Sequence, residues 1–304
     1  MKVHQDLGDM LRDWRVKRHR SQLALALESG VSARHLSFIE TGRSRPSPDV
    51  ILALAEQLAI PLRVQNDLLQ AGGYAPRFSE TPLAAPDLAA VREAMQRLLH
   101  AHDPYPGVAL DREWNVVLAN RAAQRMVALL PAHLTSPSLN MFRASLHPAG
   151  FAAITTNFAA WGSYLVTELE RLVASSADVR LAALFEEVSA YPNVRTLMRR
   201  GASSRSTSSR ATSSRSDTSH PAMEDGASAH QATPALLVPC ELVLHGVPLS
   251  MFTTLATLGS PRDITLAELT VELFYPSDER TAAALRSAEL PSAELRSAAV
   301  DSSV

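Results

Sequence analysis

Cysteine is almost absent from this 304-residue chain: Cys240 is the single one, so no internal disulfide can form, which fits a reducing compartment. Long apolar runs are absent too. None reaches the roughly 18 residues that span a bilayer, and the amino-terminal MKVHQDLGDM has no apolar signal core, so a cytoplasmic, nucleoid-associated protein without a membrane partner is expected. GxSxG, GxGxxG, P-loop and HExxH patterns do not occur and one cysteine cannot supply CxxC; no enzyme, cofactor or metal site is expected. Excess charge is also lacking. The net charge is −2, and residues 1–80 hold 11 Lys/Arg against 9 Asp/Glu while the remainder holds 18 against 22. Bulk charge alone therefore cannot draw the chain to nucleic acid, and any such binding must rest on local placement. What is present is an ordinary apolar fraction, 46%, over a length suited to about two domains.

The most informative stretch is Ser21 to Glu40, SQLALALESGVSARHLSFIE. Gln22 to Ser29 holds good helix formers and no β-branched residue, Gly30 suits a left-handed helix end, and Ser32 is a good cap for a second helix, Ala33 to Thr41. At 100° per residue, Leu36 and Ile39 share one face of that second helix and pack with Leu25, Ala26 and Val31. Arg34, Ser37, Phe38 and Thr41 fall on the opposite face. They offer a guanidinium for guanine or phosphate, hydroxyls, and an aromatic edge for a thymine methyl. An ordinary helical hairpin with Phe38 buried satisfies the same pattern.

The flanks narrow the choice. Leu7 to Arg18 reads as an amphipathic helix with a basic end. Thr41-Gly42-Arg43-Ser44-Arg45-Pro46-Ser47-Pro48 reads as a Gly turn and a basic loop, followed by helices Asp49 to Leu58 and Pro61 to Gln70. Five short helices, with GVS at the turn and IETGRSRPS after the second helix of the pair, closely resemble the Xre/Cro-type helix-turn-helix regulators over residues 4 to 75. The resemblance implies double-stranded DNA as partner. Gln22 would bond to phosphate or a base, and Arg34, Ser37 and Phe38 would face base edges. Arg43 and Arg45 would meet the DNA backbone, with Ser32, Ala33 and Thr41 completing the DNA-facing set. It also implies an ion pair between Arg15 and Glu40.

Tyr74 to Pro86 reads as a proline-rich linker, and Asp87 as the cap of a helix Leu88 to Ala101. His100, His102 and Asp103 have the wrong spacing for metal ligands on one helical face. Strands Val108 to Leu110 and Trp114 to Ala119 flank a turn at Asp111-Arg112-Glu113, and Asn120 caps a helix running to Leu130. Ser138 to Leu146 reads as a short helix, Ala149 to Ala174 as one long helix with an aromatic stripe, and Asp178 to Val188 as another. Three strands close the pattern. The first, Leu236 to Leu244, is broken by Pro239 and followed by a turn at His245-Gly246-Val247-Pro248. Leu249 to Leu258 and Ala267 to Tyr275 follow, the last with Leu269, Val271 and Leu273 inward. Cys240 and His245 lie five apart, and a strand cysteine is usually a small hydrophobe.

The opening of this second region, Pro106 to Met126, with Leu139-Asn140-Met141-Phe142, Trp161 and the final strands, resembles the MmyB-like regulators. In those, a PAS-like ligand-binding domain follows the helix-turn-helix. The resemblance implies a buried apolar cavity for a fatty acyl or similar lipophilic molecule, walled here by Trp114, Met141, Phe142, Phe158, Trp161, Leu165, Met251 and Phe274; taken singly, each of these reads first as plain core. Gly162-Ser163-Tyr164 departs from the acidic residue usual after the tryptophan.

The expected architecture is thus an all-α five-helix DNA-binding domain, 1–75, and a linker with a connecting helix, 76–104. An α+β PAS-like domain, 105–285, follows, with about five antiparallel strands and helices on one face. A Ser/Arg-rich insertion at about 200–233 (GASSRSTSSRATSSRSDTSH at its centre) is too polar to pack, and 286–304 is a low-complexity tail. The expected function is a sequence-specific, dimeric transcriptional regulator whose carboxy-terminal domain senses a small lipophilic effector. The alternative is a repressor whose carboxy-terminal domain is an interaction or dimerisation module without a small ligand.

Overall fold

The computed structural model describes residues 6–176, 178–200 and 238–287; the Ser/Arg-rich tract from 201 onward, the first two residues of the strand expected from Leu236, and the low-complexity tail from 288 lie outside them. The chain divides into two compact units, one of 1–92 with 257–269, the other of 93–256 with 270–304.

Five helices build the first unit: α1 Leu7–Lys17, α2 Gln22–Glu28, α3 Ala33–Glu40, α4 Pro48–Gln57 and α5 Leu62–Ala71. Local chemistry sets their ends. The Ser21, Ser32 and Ser47 hydroxyls accept from the backbone N–H three residues on, at the starts of α2, α3 and α4. Gly30 takes φ +68°, which turns the chain between α2 and α3 at no steric cost. Leu11, Leu25, Leu36, Ile39, Ile51, Leu54, Leu68 and Leu69 fill the centre, so all five helices contribute to one core. Gly8 allows α1 to lie against the end of α3: a Cβ there would sit 2.6 Å from the Ile39 carbonyl oxygen.

The expected ion pair is in place. Arg15 Nε and Nη2 donate to the two carboxylate oxygens of Glu40 at 2.6 and 2.8 Å, and Gln22 Nε2 donates to Glu40 at 2.7 Å. The Glu40 side chain is 2% exposed. Burial pushes its pKa up, but the bonds from Arg15 and Gln22 and the nearby guanidinium outweigh that and hold it below the ordinary value. One carboxylate thus joins α1, α2 and α3.

The segment Thr257–Leu269 belongs to this unit although it connects two strands of the other. Its short helix α12, Ile264–Ala267, is capped by Asp263, a residue 8% exposed. The second Asp263 oxygen accepts from the Ser79 hydroxyl at 2.9 Å and from Thr81 N–H at 3.1 Å. Arg63 on α5 forks onto Glu268 at 2.8 and 2.9 Å and also pairs with Glu80.

In the second unit five strands, β1 Gly107–Leu110, β2 Val116–Ala119, β3 Cys240–Leu244, β4 Val247–Thr257 and β5 Thr270–Pro276, form one sheet in the order β2-β1-β5-β4-β3. Antiparallel pairing sets Val108 opposite Glu272 and Cys240 opposite Met251. Helices α6 Ala89–Ala101, α7 Arg121–Val127, α8 Ala132–Thr135, α9 Met141–Leu146, α10 Phe158–Ser176, α11 Val179–Ser189 and α13 Glu279–Arg286 accompany it; the first residues of α6 fall in the other unit. Asn120, fully buried, accepts from Gly107 N–H and Ala123 N–H and donates to the Leu99 and Tyr105 carbonyls, which joins α6, β1 and α7 through one side chain.

Several elements differ from the sequence reading, among them the last strand, expected from Ala267 but starting at Thr270 because Ile264–Ala267 is helical. The long helix expected over Ala149 to Ala174 is broken: a 3-10 turn, Phe151–Ala153, precedes α10, and the chain between them serves the sheet. There Val243 N–H donates to the Ile154 carbonyl and Thr156 N–H to the Glu241 carbonyl, so the edge of β3 captures a β-branched stretch that resists helix. The turn after β3 is tighter than expected: His245 and Gly246 alone make it, with φ +48° and +81°, the two-residue form that matches strand twist, and Pro248 already pairs with Val243. Asp87 lies in a 3-10 turn, Pro86–Leu88, ahead of α6 instead of capping it. Among the described residues no helix is long and apolar enough to cross a membrane, and no group of His, Cys, Asp or Glu has the geometry for a metal.

Removing Arg15 strips the counter-charge from a buried carboxylate. Arg15→Ala should destabilise the first unit by about 3 kcal/mol, read from urea unfolding of the full chain. The folded pKa of Glu40 lies below its unfolded value, so this stabilisation is present above the ordinary carboxylate range and is lost as pH falls through the folded value. The gap between wild type and Arg15→Ala should therefore narrow below about pH 4; a gap that holds constant down to about pH 3 would remove the pair as its source.

Candidate nucleic-acid interface and ligand cavity

The inward face of α3 is made by Leu36 and Ile39, both buried, and Glu40. The opposite face is open. Arg34 is exposed, its guanidinium 5.4 Å above the Phe38 ring, and Phe38 and Ser37 are half-buried. Neither Arg34 nor Phe38 turns into the interior. Thr41 ends the helix, its hydroxyl donating to the Ser37 carbonyl at 2.8 Å. Arg43 is exposed, and its N–H closes the turn onto the Phe38 carbonyl. At the other end Ser32 is exposed, with its hydroxyl engaged in the helix cap, while Ala33 packs against the core.

Two further residues of the expected set, Gln22 and Arg45, also have internal partners. The Gln22 amide is given to Glu40. Arg45 donates to the Gly72 and Gly73 carbonyls at 2.9 and 3.3 Å and lies 5.0 Å above the Tyr74 ring. The basic loop is thereby fastened to the end of α5, whose last carbonyls need donors.

The second unit holds an apolar cavity of about 70 Å3. Seven of the eight residues expected at its walls are there: Trp114, Met141, Phe142, Trp161, Leu165, Met251 and Phe274. Phe158 is not. It packs with Leu146, Val166 and Leu169 in a neighbouring cluster, one helical turn from Trp161 and beside Gly162. Trp114 reaches the wall from a strained backbone, φ +66°, rare for a bulky residue. Its N–H donates to the Asp111 carbonyl and its carbonyl accepts from Met141 N–H, both at 3.0 Å, and its ring lies 4.8 Å from that of Phe142. The same strain starts β2 at Val116 and not at Trp114.

The sequence reading missed the polar wall residues Ser145, Cys240 and Glu272. Burial pushes the Cys240 thiol up to about 12, aided by the nearby Glu272 and Glu241 charges. Burial likewise raises the Glu272 carboxyl to about 7, against weak support from the Thr253 hydroxyl. Strand parity held the clue. Phe274 was placed at the wall, and Glu272 lies two residues before it, on the same face of β5. Leu269 and Val271 are buried as expected, and Leu273 is half-buried beside Gly107 and Leu99, on the face turned from the cavity. His245 lies at the turn, at the far end of β3 from Cys240.

A family model described as the MmyB-like transcription regulator ligand binding domain matches residues 91–288, and one described as helix-turn-helix matches residues 11–65. No curated protein matches the chain.

The cavity wall also makes a chemical prediction. With its thiol buried and held neutral, Cys240 should react with a disulfide reagent at pH 8 at least ~100-fold more slowly in the folded chain than in urea. Labelling at the unfolded rate would show that water reaches the cavity freely.

Proposed function

We propose, since this chain belongs to the MmyB-like transcription regulator family, that it binds double-stranded DNA as a dimer through α3 and that a lipophilic effector in the cavity sets that binding. The chain is a transcriptional regulator with a helix-turn-helix and a ligand-binding domain. The finer reading is carried by one observation: α3 buries Leu36 and Ile39 while Arg34 stands exposed over Phe38 on the opposite face. An exposed guanidinium fork beside an aromatic edge supports readout of base edges in a major groove. With so slight a basic excess in residues 1–80, a single module binds weakly, and two modules reaching half-sites about 34 Å apart supply affinity and register.

The cavity walls suit a hydrocarbon body such as a fatty acyl chain. Its volume, about 70 Å3, is well under the roughly 150 Å3 that admits a benzene ring, so an effector has to widen it. Met126, Met141 and Met251 line it, and unbranched thioethers re-pack at low cost. Its small size also favours a second reading, in which the domain serves protein interaction or dimerisation without a small ligand. Native mass spectrometry of the purified chain separates the two: a retained lipophilic molecule supports the sensor.

A footprint over the region upstream of its own coding sequence should show protection at low salt that weakens steeply as salt rises. Arg34→Ala should relax discrimination at one base pair by about 1–3 kcal/mol. Absence of protection at any salt concentration, or an Arg34→Ala variant with unchanged sequence preference, would overturn this reading.

A further inference from the structure

Glu272 is the one charged side chain among the described residues that line a largely apolar chamber. It sits on β5, the middle strand of the sheet, opposite Val108 of β1, and both side chains line the cavity. It is 7% exposed. Among the described residues that line the cavity there is no lysine, arginine or histidine. Its titratable neighbours are themselves acids: the Cys240 thiol and the Tyr164 phenol both feel its charge. A carboxyl group on the apolar face of a central strand costs stability unless something answers it. Thr253 supplies a hydrogen bond but no charge.

We propose that Glu272 is the anionic end of the ligand site and that the effector is a lipophilic amine, a hydrocarbon body carrying one ammonium group, in preference to a fatty acid. This rests on reading the cavity as the effector site. Three features agree. A carboxylate of the ligand would meet the Glu272 carboxylate in a water-poor site, where like charges cannot both persist. An ammonium there gains a counter-ion and charge-assisted hydrogen bonds. The walls also present the aromatic rings of Trp114, Trp161, Phe142 and Phe274, whose faces attract a cation. The group whose burial is otherwise unanswered therefore selects the head of the ligand, while the methionines and leucines accept its tail.

The experiment compares octylamine, octan-1-ol and octanoate on the full chain by calorimetric titration at neutral pH. Wild type should bind octylamine about tenfold or more tighter than octan-1-ol, with octanoate weakest. Glu272→Gln, close to isosteric, should bring octylamine down to the level of octan-1-ol while leaving the alcohol within about twofold of wild type. Glu272→Leu, which removes the buried polar group altogether, should likewise abolish the preference, and thermal melts of both variants report whether they fold. If octanoate binds wild type best, or the alcohol binds and the amine is not preferred, the amine proposal fails while the cavity remains an effector site. If none of the three binds wild type, the effector reading of the cavity fails, and the proposal with it.

Discussion

A carboxylate withdrawn from water must be answered by charge or by hydrogen bonds, and the fixed point of the first unit is one that is fully answered. Glu40 receives two bonds from the Arg15 guanidinium and one from Gln22, so three helices that are separate in the sequence converge on a single side chain. Because Glu40 is the last residue of α3, the fork fixes that helix along its length and about its axis. The orientation of the Arg34 and Phe38 face follows from it. Leu36 and Ile39 supply the adhesion, but apolar contacts are non-directional and would tolerate rotation of a short helix. A bidentate fork does not.

The second unit contains the opposite case. Glu272 is as deeply placed as Glu40, yet no guanidinium, ammonium or imidazole stands beside it among the described residues of the cavity wall. The difference between the two carboxyls is visible in their ionisation. Arg15 and Gln22 hold Glu40 below its ordinary value, and burial drives Glu272 above it. One carboxyl is part of the scaffold, closed within the protein; the other is open to whatever enters the cavity.

What the sequence disclosed follows from how local its causes were. Serine caps, the Gly30 turn, and the Asn120 cap act over three or four residues, and a linear reading finds them. Spacing showed that large apolar side chains point inward, and the family resemblance is what marked seven of them as a cavity wall. Phe158 was assigned to the wrong interior, since two apolar clusters share α10 and periodicity does not tell them apart. The break before α10 was hidden because the apolar spacing of Phe151, Ile154 and Phe158 stays helical across the β-branched Ile154, Thr155 and Thr156, and the strand edge that captures them is distant in sequence. Glu272 escaped because hydrophobic alternation directs attention to Val271 and Leu273, and a charged residue between them reads as solvent-facing until the opposite face proves to be the cavity.

The attachment of Thr257–Leu269 to the first unit has no local signature either, because Arg63 and Glu268 are 205 residues apart. β4 carries Met251 and β5 carries Glu272, two residues of the cavity wall, and Thr257–Leu269 is the chain that joins these strands. If an effector widens the cavity, the displacement of β4 or β5 has to be absorbed within that segment or passed to what holds it. The holds are stiff. Asp263 is buried, with its oxygens accepting from Ser79 and from backbone N–H groups, and Arg63 forks onto Glu268. A segment with its own short capped helix and a buried carboxylate anchor yields at the cost of several charge-assisted bonds, whereas α5, to which Arg63 belongs, shares a core with α1, α3 and α4. The chain that joins two strands of the cavity wall is thus fastened to the helical core that also carries α3.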